Sequence, residues 1–207
     1  MALTVFQQND KEIRLADKAG FCFGVKNAVE RADALLTECR ERGETVCATG
    51  HLIHNRTVIA ELAEKGLRTV AFPEEAEPGS RILIRAHGEA ASFHARCEKA
   101  GLRIEDMTCP FVARIHSIVK EAHESGKGVL IVGDVSHPEV IGIRGWAGEP
   151  CVVIGSEAEA EAFCRGLAQT DESAEPSADG KAKSDPECGE ERPPREWVCV
   201  SPTTFIE

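Results

Sequence analysis

Two cysteines and three histidines recur along this chain in a common order. Cys22 precedes an amphipathic stretch carrying Val25, Ala28, Val29 and Ala32; 32 positions after it, His54 closes the segment Gly50-His51-Leu52-Ile53-His54. Cys109 precedes Val112, Ile115, Ile118 and Val119; 28 positions after it, His137 closes Gly133-Asp134-Val135-Ser136-His137. Two thiols brought to like places in two repeated units suggest a shared metal centre. A helix start suits that role, because it favours the thiolate a metal needs. His54, His87 and His137 each follow a hydrophobic run, and open α/β sheets bind ligands at the ends of their strands. Glu139 lies two residues beyond His137. Taken singly, a cysteine at a helix start is usually a packed thiol, and a histidine after a strand is usually structural. Shared order and spacing argue for chemistry.

The elements that must position these groups alternate. Residues 11–21 read as a strand running into a Gly-Phe turn, and a helix follows with Val25, Ala28, Val29, Ala32, Leu35 and Leu36 on one face. Strands are predicted at 46–48, 69–72, 81–85, 128–132, 151–154 and 197–200. Helices are predicted at 54–65, ended by Gly66, and at 93–100, 111–124 and 157–167, with another turn or helix opening at His137-Pro138-Glu139. Gly20 to Gly24 and Gly142 to Gly145 read as glycine-rich turns. This alternation predicts an α/β fold of repeated small domains with parallel sheets. Residues 1–22 form a strand segment leading to the first cysteine, 23–108 a first α/β domain and 109–207 a second. An acidic, Ser/Pro/Gly-rich stretch at about 165–195 reads as a disordered insertion. Without it, Thr203-Thr204 falls in the second unit where His87 falls in the first.

A net charge of −11 argues against nucleic-acid binding, which needs a basic footprint. No apolar run approaches the roughly 18 residues of a membrane span. The N-terminus lacks the charged and apolar regions of a signal peptide, so a cytoplasmic protein without membrane contact is expected. Its nine cysteines include no Cys-x-x-Cys, which disfavours a zinc ribbon or thioredoxin-type site. Cys39, Cys47, Cys97, Cys151, Cys164 and Cys199 read as core thiols, and Cys188 falls in the insertion. His51, His94, His116 and His123 read as structural histidines, His116 and His123 sharing a helix face that could be solvated.

Five ordered motifs carry a resemblance: Gly20-Phe21-Cys22-Phe23-Gly24-Val25, His54-Asn55-Arg56, Arg85-Ala86-His87-Gly88, Asp106-Met107-Thr108-Cys109-Pro110 and Gly133-Asp134-Val135-Ser136-His137-Pro138-Glu139-Val140. Together they resemble the IspH/LytB family, the 4-hydroxy-3-methylbut-2-enyl diphosphate reductases of isoprenoid biosynthesis. Ser201-Pro202-Thr203-Thr204-Phe205 is similar to that family's Gln-Thr-Thr segment. The resemblance spans roughly residues 12–205 apart from the insertion. It implies three α/β domains in pseudo-threefold array around a [4Fe-4S] cluster in which one iron has no protein ligand. Cys22 and Cys109 would be two of three cluster ligands. His54, His87 and His137 would hydrogen-bond the diphosphate, Glu139 would relay protons, and Thr203 would orient the substrate hydroxyl. The implied partners are an allylic diphosphate substrate and a ferredoxin or flavodoxin electron donor. The implied reaction closes the methylerythritol phosphate pathway, giving isopentenyl and dimethylallyl diphosphate.

Two departures stand against the family pattern. Pro202 occupies the usual glutamine position, and nothing after Thr204 supplies the third cysteine or the family's Ser-x-Asn contacts. The third domain is therefore expected elsewhere, in a longer form of the chain or in a separate chain. Two other readings remain open beside the reductase. One is a truncated, non-catalytic two-domain remnant, or one half of a split enzyme, that binds diphosphate only weakly. The other is a module holding a different ion, such as zinc, which needs four closed ligands.

Overall fold

The structure is a computed structural model that describes residues 4–8, 11–16, 19–172, 194 and 196–203. Strands β1 (Thr4–Gln8) and β2 (Lys11–Leu15) pair antiparallel as a two-stranded hairpin. Helix α1 (Phe23–Arg42) follows, then β3 (Val46–Thr49), α2 (Arg56–Glu64), β4 (Leu67–Val70), a short 3-10 turn, β5 (Arg81–Ile84), α3 (Ala91–Lys99) and β6 (Arg103–Asp106). Next come α4 (Pro110–Glu124), β7 (Gly128–Val132), α5 (Pro138–Ala147), β8 (Cys151–Ile154), α6 (Glu157–Glu172) and β9 (Trp197–Val200). The first sheet has the order β4-β3-β5-β6 and the second β8-β7-β9, parallel throughout. This is the repeated, parallel α/β architecture that the alternation of strands and helices predicts. In both sheets the first strand is central, the next lies on one side and the third on the other.

Strand alternation explains the layers. Val46 and Ala48 of β3 and Leu83 of β5 face the apolar stripe of α1, where Ala28, Ala32, Leu35 and Leu36 recur at helical spacing. The intervening Cys47, Ile82 and Ile84 face the opposite way, onto Phe93 and Cys97 of α3. Gly43 ends α1 with φ 67, a left-handed conformation that glycine adopts without strain. In the second unit, Val129 and Ile131 of β7 pack with Val119 of α4 and Val140 and Ile143 of α5.

Several expectations are corrected. Within the 1–22 strand segment the sequence pattern places one strand, at 11–21, and does not predict β1 as a separate strand; nor does it predict β6. Periodicity misses both because β1 belongs to a hairpin whose Val5, Ile13 and Leu15 stay exposed, and β6 is a four-residue strand with charged residues at three positions. Gly142 and Gly145 lie inside α5, not in a turn. Helix α6 runs to Glu172, so the acidic stretch begins as helix; residues 173–193, with Cys188, lie outside the described residues, as does Thr204. Cys164 and Cys199 are exposed, unlike the buried Cys39, Cys47, Cys97 and Cys151. Among the described residues, no helix is long and apolar enough to cross a membrane.

Candidate functional site

The two thiols occupy equivalent positions. Cys22 is the N-cap residue of α1 and Cys109 that of α4, and neither side chain makes a capping hydrogen bond. Each thiol therefore stands beside the unpaired N–H groups of a first helical turn, at the positive end of the helix dipole. A Cβ added at Gly24 would lie 2.5 Å from Cys109 Sγ, so the first turn of α1 rests directly against the second thiol. Cys22 is exposed and Cys109 half-buried. Phe23 and Phe111, one and two residues beyond the cysteines, are 68% and 65% exposed.

A backbone ladder continues past the strand ends and sets the loops in order. The Ala86 N–H donates to the Leu52 carbonyl at 3.3 Å, and the Cys109 N–H donates to the Ala86 carbonyl at 2.9 Å. Three loops, carrying His54, His87 and Cys109, are thereby stitched together. Arg31 of α1 adds a bond to the Asp106 carbonyl at 2.8 Å, just before Cys109.

The three singled-out histidines meet. The His54 and His87 rings are 4.6 Å apart between centroids, and His87 and His137 6.2 Å apart, edge to face. Two come from the first unit and one from the second. His87 Nδ1 is buried without a protein hydrogen-bond partner. Burial, reinforced by the neighbouring His54 imidazole and the Arg85 guanidinium, pulls the His87 pKa down to about 4. His87 is therefore neutral at physiological pH, with one ring N–H to donate and one nitrogen to accept. His137 is the N-cap of α5, its Nδ1 accepting from the Glu139 N–H at 3.2 Å.

Glu139 sits in the first turn of α5 and is completely buried. Its carboxylate accepts from the Thr203 backbone N–H at 2.6 Å and from the Thr203 hydroxyl at 3.2 Å. A buried carboxylate needs such donors, since stripping its hydration without them is costly. Pro202 is buried beside Gly133, where an added Cβ would come within 3.2 Å of the proline ring. The Pro202 ring thus fills the space beside the start of the His137 loop. A cleft of about 580 Å³ at the ends of β3, β4 and β5 is lined by Thr49, Gly50, Phe72, Arg85 and Arg96, with no histidine.

Three features escape sequence reasoning. Gly24 is the contact between the thiol-bearing turns. Asn55, next to His54, caps α2 by accepting from the Val58 N–H at 3.2 Å. His116 does not face solvent: it is 8% exposed and stacked on Trp146 at 5.8 Å, while His123 on the same helix is exposed. The available signal was the small-residue spacing in α5, where Gly142 and Gly145 open a face for close packing.

Fold and site together define a parallel α/β protein of repeated units, with thiols at helix starts and imidazoles past strand ends. The family model described as LytB protein matches residues 13–204, and the chain belongs to that family. It is 41% identical over 153 residues to the 4-hydroxy-3-methylbut-2-enyl diphosphate reductase of Caldanaerobacter subterraneus subsp. tengcongensis, covering 72% of this chain and 52% of the relative. It is 39% identical over 142 residues to the same-named protein of Clostridioides difficile, covering 69% and 50%. The chain spans about half the length of these curated relatives. Among solved structures it is similar to an (E)-4-hydroxy-3-methyl-but-2-enyl diphosphate reductase, described as the terminal enzyme of the non-mevalonate pathway. That match has a TM-score of 0.63 and 33% identity, over 72% of this chain and 53% of that one. The Plasmodium falciparum reductase shares the fold at a TM-score of 0.68 and 20% identity, covering 91% of this chain and 50% of that one.

Proposed function

We propose that this chain supplies the histidine cluster and two thiols of an iron–sulfur reductase acting on 4-hydroxy-3-methylbut-2-enyl diphosphate. The observation that carries this reading is the meeting of His54, His87 and His137 from two units, next to a buried Glu139 held by Thr203. The imidazoles are hydrogen-bond donors suited to a diphosphate, and His87 Nδ1 has a buried valence that protein does not fill. The reaction removes the hydroxyl as water using two electrons and two protons. Protonation at either end of the allylic system gives isopentenyl or dimethylallyl diphosphate.

Cys22 and Cys109 would hold the cluster. Their chemistry fits: neither thiol is spent on capping, and Gly24 leaves the turns close enough to serve one group. Among the described residues, no cluster of three or more ligating side chains completes the set. The third thiolate of a [4Fe-4S] cluster with one open iron therefore comes from outside them. When bound, such a cluster supplies the electrons and a Lewis-acidic iron for the departing hydroxyl. Glu139 holds the proton at a carboxylate oxygen, and the Thr203 hydroxyl hydrogen-bonded to that carboxylate orients the substrate hydroxyl. A ferredoxin or flavodoxin delivers the electrons, and the setting is cytoplasmic.

Calorimetry of the chain with 4-hydroxy-3-methylbut-2-enyl diphosphate tests the reading without requiring turnover. Binding that weakens in His54→Ala, His87→Ala and His137→Ala supports it. No binding by the unaltered chain, or binding indifferent to all three substitutions, overturns it.

A further inference from the structure

The loop that carries His87 is gripped from below by the second unit. Gly88 has φ +74, and a Cβ there would lie 2.5 Å from His116 Cε1 and 3.2 Å from its Nε2. The missing side chain is the space the imidazole fills. On α5, a Cβ at Gly142 would lie 3.4 Å from His116 Nε2 and 3.6 Å from the His87 carbonyl oxygen. One ring therefore touches the turn just after His87 and the helix that carries Glu139. The ring also stacks on Trp146, 5.8 Å between centroids and 23° between planes. The Trp146 indole N–H donates to the Glu89 carbonyl at 2.8 Å, two residues past His87. Ala90 lies so close to Gly145 that a Cβ there would sit 2.2 Å from the Ala90 methyl. His94 closes the stack edge-on against Trp146 at 5.5 Å.

We propose that His116 is a positioning residue: a wedge, on the helix that Cys109 opens, that holds the 87–90 loop so that His87 faces His54 and His137. The inference rests on the proposed role of His87 in diphosphate binding, but its structural half stands apart from that role. Three observations bear on it independently. The ring is nine-tenths buried, its contacts are with the loop and with α5, and two of the positions it touches are glycines. Its Nε2 is buried without a protein hydrogen-bond partner, so the ring sits there at a cost that its packing against the loop must offset. Burial pushes the His116 pKa down, against the opposing pull of Asp106 and Glu139 and in the same sense as His94.

The test compares the intact chain with His116→Ala, His116→Gln and, as a control, Val119→Ala. Val119 is a fully buried residue of the same helix, within the second-unit core. Side-chain nitrogen NMR follows the titration of His87, and calorimetry follows inorganic diphosphate. In His116→Ala, His87 is expected to titrate nearer an ordinary histidine, with diphosphate bound about tenfold more weakly. His116→Gln, which restores part of the volume, is expected to lie between. Val119→Ala should lose thermal stability without moving the His87 titration. If His116→Ala leaves His87 where it was, or Val119→Ala moves it equally, the wedge is refuted. If His87 moves as expected but the unaltered chain ignores diphosphate, the wedge stands and the functional reading fails.

Discussion

The two units place their candidate site residues at the same register but furnish them differently. His54 lies five residues past the end of β3, and His137 lies five past the end of β7. His87 lies three past β5, and Thr203 lies three past β9. Both cysteines stand one residue before a helix. The difference is a single step in helix entry. In the first unit Asn55 is the cap, so His54 stays outside the helix and exposed, and the residue two beyond it is the exposed Arg56. In the second unit His137 is itself the cap, and the residue two beyond it, Glu139, turns into the core. One residue of helix start thus separates a surface arginine from a buried carboxylate. A repeated scaffold can place like groups at like positions and still bury a carboxylate on one side alone.

The largest effect should come from breaking what the units share. Cys22→Ser or Cys109→Ser is expected to abolish cluster retention in any preparation of the protein that completes the ligand set, because each removes a symmetry-related thiolate. Anaerobic iron analysis measures this, and wild-type iron in either variant would sink the ligand assignment.

Next comes the asymmetric group. Glu139→Gln keeps a carbonyl oxygen to accept from the Thr203 N–H, so the fold and any cluster should survive while most turnover is lost. Glu139→Leu should also destabilise the fold by about 1–3 kcal/mol, because it leaves the Thr203 N–H without its acceptor. Urea unfolding alongside a turnover assay separates the two, and near-normal turnover in Glu139→Gln would remove the proton-relay role.

Gly24→Ala probes the contact between the units. Its Cβ meets Cys109 Sγ at 2.5 Å and Cβ at 3.2 Å, so α1 or Cys109 must shift. Overpacking of this kind costs about 1–3 kcal/mol. The comparison variant is Gly166→Ala, where an added Cβ meets nothing within 4 Å and a helix former replaces glycine. It should be neutral or slightly stabilising. Equal stability of the two variants, measured by thermal unfolding, would mean that the contact at Cys109 is not tight.

These contrasts show where the sequence could be read and where it could not. The parallel units, α1 with its stripe and the order of cysteine, histidine and strand all follow from periodicity, because a buried face must repeat at 3.6 or 2 residues whatever lies opposite. Spacing puts Thr203 opposite His87, the resemblance to the Gln-Thr-Thr segment singles it out, and the strand ends give the same register. Packing between elements leaves no comparable trace. Nothing local tells that His116 lies under Gly88 or that Gly142 and Gly145 belong to a helix, since glycine reads as a turn until its neighbour is known. Strand β1 is missed for a related reason: Val5, Ile13 and Leu15 of the hairpin are exposed, so no buried face sets a pattern there.

The smallest effect sharpens the comparison at the register position shared by His87 and Thr203. Only the first unit is titratable there. His87 has its folded pKa lowered to about 4, chiefly by burial, against about 6.5 for an unfolded histidine. Above pH 6.5 the ring is neutral in both states and contributes no pH dependence. As pH falls from 6.5 towards 4, the unfolded chain takes up a proton that the folded one refuses, so stability declines across that window and levels off below it. His116, lowered in the same sense by burial, adds to the decline. Asp134, held low by the Ser136 backbone N–H and hydroxyl, acts only at still more acid pH, where its protonation removes stability. His87→Asn should therefore narrow, without closing, the gap between urea midpoints at pH 7 and at pH 4.5, whereas Thr203→Ser should leave that gap unchanged. An unaltered gap in His87→Asn would mean that the ring is not held neutral by its burial, and the two units would then differ at this position in shape alone.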